Sequence, residues 1–122
     1  MKIKTSEASG RVLDYLVAKC KAKDRWYYNE FDKCVYIGCD DAAYSPSTNR
    51  DQGYEILERE KIDVMHIRCL DTTVRWEATA DSGDTYLTGD TPLEAGLRVY
   101  VHKKLGEEVD VPDELIQFES QN

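Results

Sequence analysis

The stretch Gly89-Asp90-Thr91-Pro92-Leu93-Glu94 decides the fold class, because it opens the clearest helix of the chain. Asp90 or Thr91 can cap a helix, and Pro92 fits the first helical turn. Apolar residues then recur at helical spacing as far as Gly106, a residue type that commonly ends helices. These apolar residues are Leu93, Leu97, Tyr100, Val101 and Leu105. The pattern predicts a helix that begins near Pro92 and ends at Gly106.

Two more helices and four strands are predicted around this helix. Apolar spacing favours a helix over residues 8–22, capped by Thr5 or Ser6, and helix-favouring residues fill positions 51–60. Aromatic and β-branched residues predict strands, with turns at 32–33, 71–72 and 81–84. The predicted strands cover residues 26–31, 34–39, 64–70 and 73–79. We therefore expect an α+β fold in which two or three helices pack on a small antiparallel sheet. Residues 1–115 should form a single domain, with 116–122 as a flexible tail.

Charge and composition exclude several classes of function. The net charge is -8, made up of +2 over residues 1–50, -3 over 51–80 and -7 over 81–122. Such a balance disfavours binding to nucleic acid. Cys34 and Cys39 are poorly spaced for zinc, so we expect no metal and no cofactor. No apolar run suits a membrane span or a signal peptide, so we expect no membrane partner and a cytoplasmic location.

The residues that catalysis would need do not form a recognisable set. His66 and His102 stand outside any motif, and no glycine-rich phosphate loop is present. The adjacent acids Asp40 and Asp41 need not point at one atom. We therefore expect a protein that is not an enzyme, with a small nucleotide hydrolase as the least favoured alternative.

Binding chemistry concentrates instead in the segment from Tyr44 to Gly53. It offers an aromatic face, hydroxyls, amides and a guanidinium just before a predicted helix, and a helix N-terminus favours anions. We predict a small nucleotide-like ligand, with Arg98 on its phosphate and aromatic side chains stacked on its base. The predicted site comprises Tyr44, Ser45, Ser47, Thr48, Asn49, Arg50, Trp76 and Arg98. The alternative is a turn in which Ser47 and Thr48 cap the helix.

Several short motifs follow one another along nearly the whole chain, among them Tyr44-Ser45-Pro46-Ser47-Thr48, Glu58-Arg59-Glu60-Lys61-Ile62, Trp76-Glu77-Ala78 and Gly89-Asp90-Thr91-Pro92-Leu93. In these motifs and their order, the chain resembles the NinX-like family of small tailed-bacteriophage proteins of unassigned function. The chain departs from the family pattern at Asn49 and Arg50, within the predicted binding segment, and at Tyr54, which directly follows it.

The resemblance implies a phage protein that acts inside a bacterial host, but it supplies no reaction. We expect a non-enzymatic anti-defence protein that sequesters a small nucleotide-derived host immune signal. The alternative is an inhibitor or adaptor that binds a host or phage protein through its acidic C-terminal region. An exposed apolar helix stripe would support a homodimer or higher homo-oligomer.

Overall fold

The computed structural model describes residues 1–22, 26–29, 31, 34–37, 44–68, 74–80, 85–113 and 115. These residues form an α+β fold, which confirms the predicted class. The elements are β1 (Lys2–Lys4), α1 (Gly10–Ala22), β2 (Trp26–Asn29), β3 (Cys34–Ile37), α2 (Arg50–Arg59), β4 (Asp63–Arg68), β5 (Val74–Ala80), β6 (Thr85–Gly89), α3 (Pro92–Leu105) and β7 (Glu108–Asp110). The predicted turns at 32–33, 71–72 and 81–84 lie outside the described residues.

Helix α3 begins and ends as its sequence predicts. The Thr91 hydroxyl accepts a hydrogen bond from the Glu94 amide at 3.0 Å, and the Glu94 carboxylate accepts one from the Asp90 amide at 3.1 Å. Gly106 ends the helix with a φ of +93°, a conformation that glycine adopts without strain. Of its apolar stripe, only Leu105 is exposed. The stripe of α3 is therefore part of the core and leaves no helix face of this kind for a homodimer.

One face of a three-stranded antiparallel sheet packs on α3. The sheet has the order β4-β5-β6, and β5 turns the buried Ala78 and Ala80 toward the helix. Gly89, at the end of β6, permits close packing, because a Cβ atom there would lie 2.7 Å from the backbone nitrogen of Ala95. The sequence predicted β4 and β5 but missed β6. Helices α1 and α2 pack on α3 as well, so α3 lies between them and the sheet.

Two smaller sheets complete the described fold. Strands β2 and β3 form a hairpin, while β1 pairs with β7 so that Ile3 faces Val109. The prediction that Thr5 or Ser6 caps the first helix is wrong. Residues Thr5–Glu7 form a separate 3-10 turn, and the buried Thr5 hydroxyl donates instead to the Gly106 carbonyl at 2.6 Å. Since that turn occupies the chain before Ala8, α1 begins two residues later than predicted.

Residues 107–113 and 115 belong to the fold. Val109, Val111 and Leu115 are buried in the core, whereas the side chains of Glu107, Glu108, Asp110 and Asp113 face solvent. The predicted flexible tail, 116–122, lies outside the described residues. None of the described helices has the length and apolar character to cross a membrane.

Candidate functional site

The segment Tyr44–Asn49 forms a turn that is closed by its own hydrogen bonds. The Ser45 carbonyl accepts from the amides of Thr48 and Asn49 at 3.1 and 2.8 Å. The Ser45 amide donates to the Gln52 side chain at 2.8 Å, which ties the turn to the first residues of α2. Pro46 is buried beneath the turn. Much of the polar backbone that the sequence offered to a ligand is therefore already hydrogen-bonded within the protein.

The N-cap of α2 is Asn49. Its side-chain oxygen accepts from the Gln52 amide at 3.1 Å, and its carbonyl accepts from the Gly53 amide. The alternative prediction, that Ser47 and Thr48 cap this helix, is therefore wrong in its residues, although the turn does carry a cap. The Thr48 hydroxyl points back toward the Ser45 carbonyl at 3.4 Å.

A buried carboxylate on α1 anchors the turn. Asp14 accepts a hydrogen bond from the Ser47 amide at 2.8 Å, and the Ser47 hydroxyl lies 3.5 Å from the Gly10 carbonyl. Sequence reasoning missed Asp14. The available signal was an acid within the apolar stripe of a predicted helix, because a buried carboxylate needs a hydrogen-bond donor.

Tyr44 differs from its neighbours in the turn because it is buried, with 6% of its surface exposed, and its hydroxyl has no hydrogen-bond partner among the described groups. Burial raises the pKa of this phenol, and Tyr100 and Glu55 raise it further, since each disfavours a phenolate. The Lys21 ammonium lies 5.4 Å from the centre of the Tyr44 ring, within the range of a cation–π interaction. The buried hydroxyl thus keeps its proton but finds no acceptor in the part of the chain that the structure describes.

A series of ion pairs runs beside Tyr44 and links all three helices. Glu55 lies 3.5 Å from Lys21 of α1 and 3.8 Å from Arg59, measured between charged atoms. Glu60 lies 3.3 Å from Arg59 and 3.8 Å from Lys104 of α3. We call these five residues the ion-pair chain. With three cations and two anions, it is locally positive in a protein whose net charge is -8.

Arg98 has protein partners on three sides. Its guanidinium donates to the Ala8 carbonyl and to the Thr88 carbonyl, each at 2.7 Å, and forms an ion pair with Glu94 at 3.2 Å. Burial lowers the pKa of Arg98, while Glu94 acts in the opposite direction. The acidic partner of this arginine is therefore Glu94, a side chain of the protein itself.

The other predicted site residues are distributed between the turn and the sheet. Arg50 is the exposed first residue of α2, and Thr48 is exposed in the turn. Trp76 is partly buried on β5, with its ring 4.9 Å from that of His66. The contacts of Arg98 and Trp76 are with the N-terminal segment and the sheet rather than with the turn. Among the predicted residues, the structure thus brings together those from Tyr44 to Arg50.

A cleft of about 290 Å³ lies beside the C-terminal end of α3, and sequence reasoning did not foresee it. Its lining comes from the N-terminal segment, from β6 and from the end of α3 with the strand that follows it, so no local pattern could have indicated it. The lining contains an ammonium, an imidazole and two carboxylates. This mixture of charges favours neither an anionic nor a cationic ligand. The lining residues are Lys4, Ser6, Leu87, His102, Glu107 and Glu108.

Metal binding finds no support in the part of the chain that the structure describes, where no three His, Cys, Asp or Glu side chains form a group that could hold an ion. The acids Asp40 and Asp41 and the residue Cys39 lie outside that part.

In a comparison with known protein families, residues 4–104 match the family described as Bacteriophage P22, NinX. No curated protein matches the chain at a significant level.

Proposed function

The chain belongs to the Bacteriophage P22 NinX family, and from that premise we propose that it binds and sequesters a small nucleotide-derived immune signal of the bacterial host. It acts in the host cytoplasm as an anti-defence protein and binds its ligand without turnover. The ligand lies against the Tyr44–Asn49 turn and the neighbouring part of the ion-pair chain. Arg98 and Trp76 hold the framework of the site in this proposal rather than contact the ligand.

The observation that carries the proposal is the buried Tyr44 hydroxyl, which has no hydrogen-bond partner among the described residues. Leaving a buried donor unsatisfied costs about 1–3 kcal/mol, so such groups are rare in folded proteins. A tyrosine hydroxyl is neutral at physiological pH and burial raises its pKa further, so the Tyr44 hydroxyl can donate to a ligand oxygen or nitrogen. An acceptor atom on the ligand would supply this missing hydrogen bond, and the cost of the unsatisfied donor would then contribute to the affinity.

The ion-pair chain supports an anionic ligand group. Lys21 and Arg59 share the single carboxylate of Glu55 at 3.5 and 3.8 Å, distances typical of loose pairs. Exposed ion pairs of this kind contribute little stability, so their exchange for a phosphate costs little. The planar guanidinium of Arg59 can bind a phosphate with two parallel hydrogen bonds. Arg50 and Thr48 are exposed at the same turn and complete the polar surface.

Calorimetric titration against cyclic nucleotides and ADP-ribose derivatives tests the proposal, with Tyr44→Phe as the decisive variant. We expect this variant to be as stable as the parent or slightly more stable, because it removes an unsatisfied group. It should bind the ligand at least about tenfold more weakly, which is about 1.4 kcal/mol. The matched control is Tyr54→Phe, which removes a hydroxyl from an exposed tyrosine of α2 and should leave affinity unchanged.

The same titrations show how the proposal fails. No binding across the panel by folded protein would overturn it, as would equal affinity of the Tyr44→Phe variant and the parent. Chromatography of the ligand after incubation should return it unchanged. Release of a product would replace sequestration with the small hydrolase alternative.

A second candidate function follows from the exposed carboxylates of the C-terminal segment. Glu107, Glu108, Asp110 and Asp113 are exposed, while Val109 between them is buried and fixes the strand. A row of carboxylates on an ordered strand suits a basic surface of a host or phage protein, since complementary charge speeds and directs association. We propose an inhibitor or adaptor role on this basis.

Capture of partners from host lysate distinguishes the two functions. Reversal of Glu108 and Asp110 to lysine should abolish capture if the acidic segment is the interface, whereas Thr48→Ala should leave it intact. The opposite pattern would assign the partner to the turn instead. Retention of the same partners by both variants would exclude both surfaces.

A further inference from the structure

We propose that the outer face of the β4-β5-β6 sheet binds a second copy of this chain in a twofold homodimer. The outer face is the one turned away from α3. In the dimer the two central β5 strands lie face to face and antiparallel. The side chains that carry the inference are Met65, Ile67, Arg75, Glu77 and Tyr86. The inference does not rest on the function proposed above.

The outer face exposes large apolar side chains at its two edges. Met65 on β4 is 57% exposed and Tyr86 on β6 is 62% exposed. Ile67, two residues beyond Met65 on the same strand, is partly exposed and points to the same side. An antiparallel sheet can face water on one side, but that side is then usually polar. The apolar side chains therefore favour a protein partner.

The centre of the face carries one cation and one anion. Arg75 and Glu77 lie on β5, two residues apart and on the same side, so their Cα atoms are about 6.6 Å apart. The Arg75 Nε atom is buried and has no hydrogen-bond partner among the described groups. The Arg75 Nη2 atom lies 3.6 Å from the Asp90 carboxylate, which is a loose ion pair. The guanidinium therefore has capacity for another carboxylate.

This pair of charges is self-complementary under one specific twofold axis. If the axis lies in the interface, crosses β5 at Trp76 and is perpendicular to the strand, Arg75 of each copy faces Glu77 of the other. Symmetry then gives two ion pairs for each dimer. An axis parallel to the strand would place Arg75 against Arg75 and Glu77 against Glu77. Charge thus selects the antiparallel arrangement.

The same axis also matches the apolar residues of β4. In the sheet register Met65 lies beside Glu77, and Ile67 lies beside Arg75. The rotation that pairs Arg75 with Glu77 therefore brings Met65 of one copy against Ile67 of the other. The strands of two packed sheets commonly cross at about 30°. This rotation displaces the contacts between the outer strands but changes little in the contacts near the twofold axis. The central ion pairs are the contacts that this geometry specifies best.

The size of the face predicts the strength of the dimer. Three strands about 20 Å long and about 4.8 Å apart give a flat area of about 300 Å². Stable interfaces commonly bury about 800 Å² of accessible surface on each partner, so this one belongs to the small, reversible class. Sedimentation must therefore sample concentrations from about 10 µM to about 1 mM.

Sedimentation equilibrium of charge variants tests the inference. The parent should form dimers, and Glu77→Arg should raise the dimer dissociation constant at least about tenfold, because four arginines then meet at the centre. The double variant Arg75→Glu with Glu77→Arg should restore dimerisation, since the exchanged charges again face each other. Glu58→Arg, at an exposed position of α2, makes the same charge change away from the sheet and should have no effect.

Met65→Gln provides a second route that adds no charge beside the Arg75–Glu77 pair. Met65 is exposed, so this variant should fold normally, yet it should weaken the dimer because it places a polar amide against Ile67. A parent that remains monomeric throughout the concentration range would overturn the inference. So would single variants that dimerise like the parent, or failure of the folded double variant to restore association.

Discussion

Arg98 shows at the scale of one residue how a buried charge can hold three parts of a chain together. Its guanidinium contacts the Ala8 carbonyl before α1, the Thr88 carbonyl of β6 and the Glu94 carboxylate of α3. A planar group with five donors can meet these three directions at once, whereas an ammonium on a flexible stem cannot. Arg98 therefore fixes the position of the N-terminal segment against the sheet.

We predict that Arg98→Lys lowers the free energy of unfolding by about 2–3 kcal/mol, because buried carbonyl groups lose their donors. Urea denaturation measures the change. Arg50→Lys is the matched control, since Arg50 is exposed, and its effect should stay within about 0.5 kcal/mol. Equal stability of the two variants would show that the contacts of Arg98 contribute nothing net.

Cys20 makes stability depend on alkaline pH. Burial raises the pKa of its thiol from 9.0 to about 11, and Lys104 and Lys19 oppose the shift only partly. Between these two values the unfolded chain loses the thiol proton while the folded chain keeps it, so stability is complete below pH 9 and is lost toward pH 11. Two pKa units correspond to about 2.7 kcal/mol, and the partial exposure of this thiol to solvent lowers the expected loss to about 2 kcal/mol.

Urea denaturation across this pH window checks the prediction, with Cys20→Ala as the comparison. The difference in unfolding free energy between the parent and the variant should shrink as the pH rises from 9 to 11. Tyr44, whose pKa is also raised, affects both proteins equally and cancels in the difference. The comparison is made in a Tyr100→Phe background, because Cys20 contributes to the raised pKa of Tyr100. A difference that does not change with pH would contradict the assignment to Cys20.

At the scale of elements, Asn49 differs from its neighbours in the turn because its side chain caps α2. We predict that Asn49→Ala costs about 1 kcal/mol of stability, because the Gln52 amide loses its acceptor. Thr48→Ala should cost less than about 0.5 kcal/mol, since the Thr48 hydroxyl makes only a long contact with the Ser45 carbonyl. Thermal unfolding of both variants measures the difference. The reverse order would return the cap to Thr48.

Elements with local signals were the ones that the sequence predicted well. The capping residues, Pro92 and Gly106 all lie within or beside α3, so its bounds could be read from consecutive positions. Strand β6 carries no such signal, because its five residues are stabilised by pairing with β5. Strand β7 likewise depends on β1, which lies more than 100 residues away in the sequence. Pairing over such distances leaves no local pattern.

The candidate site was predictable only in its location. The turn from Tyr44 to Asn49 was identified from its residue types, yet the structure commits many of its polar groups to Asp14, Gln52 and the turn itself. The unsatisfied hydroxyl of Tyr44 depends on which groups surround it after folding. The ion-pair chain depends on the relative positions of three helices. Residue types alone indicate none of these relations.

At the scale of the whole molecule, the C-terminal segment contributes to both the core and the surface charge. Leu115 is fully buried, so Leu115→Ala should cost about 2–4 kcal/mol through the loss of packing. Neutralisation of Glu107, Glu108 and Asp110 by the matching amides should change stability by less than about 1 kcal/mol, because these side chains are exposed. Urea denaturation compares the two variants. A larger cost for the neutralised protein would mean that the carboxylates serve the fold rather than a partner.

The layers of the molecule also keep the proposed surfaces apart. Helix α3 lies between the sheet on one side and α1 and α2 on the other. A dimer through the outer sheet face therefore leaves Tyr44 and the ion-pair chain open in both copies. Each dimer would sequester two ligands independently, and the Glu77→Arg variant should bind ligand as the parent does.

The pairing of β1 with β7 has a consequence for synthesis of the protein. Ile3 leaves the ribosome long before its partner Val109, which is made more than 100 residues later. At about 5–20 residues per second, the first strand waits about 5–20 s for its partner. The edge of β1 and the apolar groups that β7 covers remain open during that interval. The fold can therefore close only after residue 110 has left the ribosome, and a chain that stalls before residue 108 never acquires the strand that pairs with β1.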